Sequence, residues 1–149
     1  MGDQDPFERI LGSLHEAALD DAHWPETAGL IDEVLGSKGN FLVFGERRSR
    51  EDVEILFKRF CYRGERNEYF ERLYYDAYFS SDERMPRFRL LPDSRLVRVA
   101  ELYTDKERKT SPAFNEALPL GETQNGLNVR LDGPDGSHIG WQAADPVDG

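Results

Sequence analysis

The sequence predicts an α+β domain: a five-stranded antiparallel sheet with helices packed mainly on one face. Three observations lead there. Helix-like and strand-like segments alternate in the order helix, helix, strand, strand, helix, loop, strand, helix, strand, strand. Two pairs of strand-like runs are each joined by a polar turn, so neighbouring strands pair as hairpins. The 149 residues show no repeat, low-complexity tract or linker, which predicts one domain with its own core.

Asp5-Pro6 with Glu8 is a helix start: Asp5 caps, Pro6 takes the first helical position and Glu8 completes a capping box. Phe7, Ile10, Leu11, Leu14 and Ala18 recur at helical spacing. After LDDAHWP, Pro25 opens a second helix carrying Leu30, Ile31, Val34 and Leu35, which ends within Gly36 to Gly39. The apolar run Phe41 to Phe44 is a buried strand. A polar turn from Arg47 to Glu51 leads to Val53, Ile55 and Phe57, an alternating second strand. Prolines 86 and 92 make residues 80 to 95 a loop. Leu96 to Ala100 reads as an edge strand, and Pro112 to Leu118 as a helix stopped by Pro119. Leu127, Val129 and Leu131, a GPDG turn, then Ile139, Trp141 and Ala143 form the clearest hairpin in the chain.

Composition excludes several function classes. With 29 acids against 19 bases and a net charge of −10, the chain is poorly suited to neutralise phosphates, so it is not expected to hold DNA itself. No apolar run spans a bilayer and no signal peptide opens the chain. Met1-Gly2 lacks the Ser or Thr at position 6 that myristoylation prefers. A lone cysteine, Cys61, inside a strand reads as a buried, inert thiol in a cytoplasmic protein. The histidines His15, His23 and His138 lack metal-ligand spacing, and Asp132 with Asp135 is too short a run for a calcium loop. Nucleotide-binding, zinc-protease and serine-hydrolase motifs are missing. Asp20-Asp21 and Asp82-Glu83 lie near turns and read as solvated. No enzyme, cofactor or metal is predicted.

The segment Tyr69 to Phe79, YFERLYYDAYF, holds six aromatic residues. At helical spacing Tyr69, Phe70, Leu73, Tyr74 and Ala77 share one face; Tyr75 and Phe79 lie opposite and Tyr78 between. Three readings follow. The rings fill a core; they meet a partner chain; or they line a cavity with the sheet. In the last case the candidate ligand-binding residues are Phe41, Phe57, Tyr69, Leu73, Tyr74, Tyr78 and Trp141, suited by their hydroxyls to a small, partly polar ligand.

Three stretches carry a family resemblance: HWPETAGLIDEVLG, SDERMPRFRLLPDSRLVRVAELYTDKERKTSPAFNEALP and QNGLNVRLDGPDGSHIGWQAADPVD. They resemble the N-terminal region of LuxR-type helix-turn-helix transcriptional regulators. The resemblance covers nearly the whole chain and implies a PAS/GAF-like sensory domain that binds a small molecule and works as a homodimer. It also implies a DNA-binding domain of about 65 residues just after ADPVD, making the chain either an excised sensory fragment or a stand-alone sensor. No ligand-contact residue carries over by motif. The alternative is a protein-interaction module with a filled core and no ligand.

Overall fold

The computed structural model describes residues 5–49, 53–133 and 136–147. Met1-Gly2, Glu51 of the expected turn and Asp135 of the GPDG turn lie outside them. The helices are α1 (Pro6–Leu19), α2 (Trp24–Leu35), α3 (Glu68–Ala77), α4 (Arg84–Arg89), α5 (Asp105–Thr110) and α6 (Leu118–Leu120). The strands are β1 (Gly39–Arg47), β2 (Val53–Tyr62), β3 (Glu65–Arg66), β4 (Leu96–Arg98), β5 (Leu127–Asp132) and β6 (Ser137–Ala143). They form one antiparallel sheet in the order β3-β2-β1-β6-β5-β4.

The sheet has six strands rather than the expected five. The extra one, β3, is a two-residue hairpin return after Arg63 and Gly64, both at positive φ (50° and 83°). A run this short has no periodicity to read, so RGERNE carries no strand signal.

Helices also cover both faces rather than mainly one. On one face α1 and α2 pack through Ala17, Trp24 and Ala28 onto Cys61 and Leu42. On the other, Phe70 and Tyr74 of α3 meet Phe41 and Phe60, with Ala117 and Ala144. Strand alternation makes this possible, since Phe60 and Cys61, adjacent in β2, point to opposite sides.

Local rules explain most starts and stops. Asp5 accepts the Phe7 N–H (2.7 Å) ahead of Pro6, and Gly36 closes α2 in the left-handed region (φ 70°). The last hairpin closes through Gly133 N–H to Ser137 O, 2.9 Å. Helix α4 occupies part of the expected loop. Pro86 falls in its first turn, where the amide would have no intrahelical partner, so it does not break the helix. Likewise Pro119 sits at the start of α6, which continues a π-helical turn at Ala113–Ala117. Thr104 and Glu107 form a full capping box at α5.

Helix α1 is rotated from its apolar stripe. Ser13 and Ala17 face inward, while Phe7 is 66% exposed and Leu11 is exposed beside it. A polar clasp sets this phase: Ser13 Oγ lies 2.6 Å from Thr27 Oγ1 and 3.0 Å from His23 Nε2. His23 also meets Glu16 and Glu26.

Candidate functional site

Helix α3 brings most of the rings to the sheet. Asn67 caps it, its side-chain oxygen accepting the Phe70 N–H at 3.0 Å. Its phase is fixed by Glu71, which is buried. The Glu71 carboxylate accepts the Phe60 backbone N–H (2.9 Å) and a two-pronged contact from Arg66 (3.0 and 2.9 Å). Turning Glu71 inward sends Tyr69 outward, 78% exposed, and puts Phe70 and Tyr74 over the sheet.

The rings form one continuous cluster. Phe41 and Phe60 stack at 4.6 Å, and Phe60 lies 5.7 Å from Phe70 and 5.9 Å from Tyr75. Tyr75 in turn packs on Phe79 at 4.8 Å. Each such pair contributes about 0.5–1.5 kcal/mol beyond area burial.

Between this cluster and the sheet lies a cavity of about 70 Å³. Phe41, Val43 and Phe60 form its floor; Tyr74, Tyr75, Phe79 and Phe88 cover it. Gly140 of β6 lets Phe88 lie close, because a Cβ there would sit 3.1 Å from the ring. His138, also on the wall, meets Phe88 edge-on at 5.8 Å. Burial, then Arg130, Arg47 and Arg89, press its pKa down to about 4, so its ring is neutral near pH 7.

One end of the cavity is polar and organised by Asp82 and Arg84, both almost fully buried. Asp82 accepts from Tyr74 Oη (2.5 Å), Tyr103 Oη (2.6 Å), the Arg84 backbone N–H (3.0 Å) and Arg84 Nη2 (3.3 Å). Arg84 Nη1 donates to Asn128 Oδ1 (3.2 Å) and Gln142 Oε1 (3.1 Å), and Nη2 to Tyr74 Oη (3.2 Å). Burial pushes the Tyr74 and Tyr103 hydroxyls well up, so they stay protonated and donate. Burial works against the Arg84 charge, but Tyr74, Asp82 and Tyr103 outweigh it and raise its pKa. Arg84 Nε, Gln142 Nε2 and His138 Nδ1 are buried without a hydrogen-bond partner.

Of the seven residues chosen from sequence, Phe41, Tyr74 and Trp141 lie along the cavity. Trp141 is in register with Leu42, whose side chain belongs to the opposite face, and it borders the cavity beside His138, Gly140 and Gln142. Phe57 also leaves the sheet on that opposite side, under the Arg59 guanidinium at 4.1 Å. Tyr69 and Leu73 line a separate shallow groove along α3. Tyr78 sits at the edge of the ring cluster, its hydroxyl 3.4 Å from Glu116.

Sequence reasoning missed Asp82, Arg84, Asn128 and Gln142. Asp82 read as a solvated turn acid and is instead a hub. The available signal was weak: an Asp and an Arg two apart, following a helix with more tyrosines than a core needs. Cys61 is buried, its thiol pushed up to about 11 by burial, Glu71 and Asp32. Among the described residues no group of three or more His, Cys, Asp or Glu is placed to hold a metal ion. No described helix is long and apolar enough to cross a membrane.

No protein-family model and no curated protein matches the chain. Its fold is similar to a solved structure of SdiA in complex with octanoyl-rac-glycerol, at 14% identity and a TM-score of 0.57. The match covers 96% of this chain and 55% of that one, so the chain spans about half the length of the matched structure.

Proposed function

We propose that the chain is the small-molecule-sensing domain of a LuxR-type transcriptional regulator, PAS/GAF-like in form and cytoplasmic, working by binding rather than catalysis. In this reading it acts as a homodimer and passes its ligand state to a C-terminal helix-turn-helix domain. The carrying observation is the cavity between sheet and ring cluster, apolar along its length and ending in buried, unpartnered N–H groups. The fold likeness to SdiA, a LuxR-family protein, supports it. So does the antiparallel sheet with helices laid across it.

The cavity is narrower than the roughly 300–1,000 Å³ of sites for drug-sized ligands, so a ligand must part its walls. Tyr75, Phe79 and Met85 are only partly buried, and they are carried by α3, the turn after it, and α4. A ligand that fits only the parted form shifts the population toward it and moves these helices. Dimerisation is assigned to the outward apolar stripe of α1, Phe7 and Leu11.

The test uses octanoyl-rac-glycerol as the first probe, in native mass spectrometry and thermal melts. Saturable binding and a concentration-dependent rise in Tm are expected, both lost when Val43→Phe fills the cavity. Absence of binding by this probe and by small aromatic carbonyl compounds would favour the interaction module. In that case Leu11→Glu should dissociate a dimer seen by light scattering.

A further inference from the structure

The two outermost rings over the cavity are each met by a cation. Tyr75 and Phe79 are half-buried and their ring centres lie 4.8 Å apart. The Lys58 ammonium sits 4.3 Å from the Tyr75 ring centre, and the Arg89 guanidinium 5.8 Å from that of Phe79. Both distances fall within the roughly 6 Å over which a ring face attracts a cation. Lys58 is paired with Val43 of the cavity floor and shares the side of β2 that carries Phe60. Arg89 is the last residue of α4, which also places Met85 and Phe88 on the cavity wall. One cation therefore ties Tyr75 to the sheet, and the other ties Phe79 to α4.

The remaining walls resist parting. The floor is sheet, held by its ladder of backbone bonds. Tyr74 is fastened through its hydroxyl to Asp82 at 2.5 Å and to Arg84 at 3.2 Å. Lifting it would leave a buried charged network short of a partner. Phe88 is buried in a cluster with Val97 and Leu102. Tyr75 and Phe79 give up only contacts with other rings and with the two cations. A cation that lets go of a ring returns to water, so each contact favours the closed arrangement by only about two- to fivefold.

Resting on the sensing reading above, we propose that Tyr75 and Phe79 form the entry gate of the cavity, latched shut by Lys58 and Arg89. The two cations are then positioning residues. They set how often the gate opens, not what binds behind it.

Fluorine NMR relaxation dispersion on the whole chain labelled with fluorotyrosine tests this without any ligand. The Tyr75 signal, identified by its loss in Tyr75→Phe, is expected to exchange on the microsecond-to-millisecond scale of lid motions. Lys58→Met and Arg89→Met keep apolar stems and remove the charges, with folding checked by their melts. Each should raise the open population about two- to fivefold, and the pair together about tenfold. Lys58→Arg, which keeps a cation over the ring, should match the parent. The Tyr103 signal, held by Asp82, should not move, which separates unlatching from general loosening. A Tyr75 signal without exchange, a population unmoved by both Met variants, or an equal rise at Tyr103 overturns the gate. Where octanoyl-rac-glycerol binds, its association should quicken by the same factors, and unchanged association overturns the gate as the way in. The expected exchange pattern with no binding by this probe supports the latch and counts against the sensing reading instead.

Discussion

The two faces of the sheet each bury an aspartate, and they treat it differently. Under α2, Asp32 is held by neutral groups: the Asn40 amide at 2.8 Å and the Ser37 hydroxyl at 2.9 Å. Asn40 also donates to Ala28 O, tying α2 to β1. Burial outweighs these bonds and raises the Asp32 pKa. Under α3 and α4, Asp82 faces a full guanidinium and two tyrosine hydroxyls. The first arrangement is a dry clasp among small side chains such as Ala17, Ala28 and Cys61. The second props open the end of a cavity, because a charged network cannot collapse onto apolar rings without losing its partners. A buried acid therefore marks a potential site only when what surrounds it also leaves space and spare donors.

The largest expected effect is Asp82→Asn, which leaves Arg84 buried and uncompensated and should cost about 3–5 kcal/mol in urea unfolding. Asp32→Asn on the other face should cost under about 1 kcal/mol, since its partners are neutral and match an amide. Similar losses at both sites would break the comparison.

Next comes Glu71→Gln. It loses the ion pair with Arg66 and weakens the bond from Phe60 N–H, for a loss of about 1.5–3 kcal/mol by denaturation. Adding volume separates the faces more finely. Ala28→Leu, at a fully buried helix contact, should destabilise by about 1–3 kcal/mol. Val43→Phe has the cavity to enter and should cost less while abolishing probe binding.

A further set of effects is in pH. His138 has a lowered folded pKa, about 4 against an ordinary 6.5. Its contribution is complete above the ordinary value and is lost as pH falls toward 4. Asp32 has a raised folded pKa, so its contribution is present below the ordinary aspartate value and lost as pH rises through the raised one. Melting temperatures taken across this range should lose part of their rise with pH in His138→Gln. In Asp32→Asn they should rise more steeply. Parallel curves for both variants and the parent would remove the electrostatic distinction.

How much of this was legible follows from the range of each interaction. Caps and stops at Asp5, Pro6 and Gly36, and the last hairpin, depend on residues a few positions apart, and they were readable. The ring-rich helix was readable as a helix on the same grounds. Its inward face was not, because Glu71 turns inward only to meet Arg66 and the Phe60 backbone. Of β6 only Trp141 was chosen, and His138, Gly140 and Gln142 beside the same cavity were missed for a related reason. Alternation separates Ile139 and Trp141 from His138, Gly140 and Gln142, but only pairing with β1 says which set looks toward α4.

The sequence by itself determined most of the elements, the net acidic charge, the concentration of rings and the α+β class. Tertiary structure decided the sixth strand, the second helical layer, and the burial of Asp82 with Arg84. It also decided which polar side chains end at the cavity with a donor to spare. Local propensity acts over one or two turns of chain, whereas Arg84 reaches Asn128 and Gln142 from 44 and 58 residues away. Their meeting is a consequence of strand order and register.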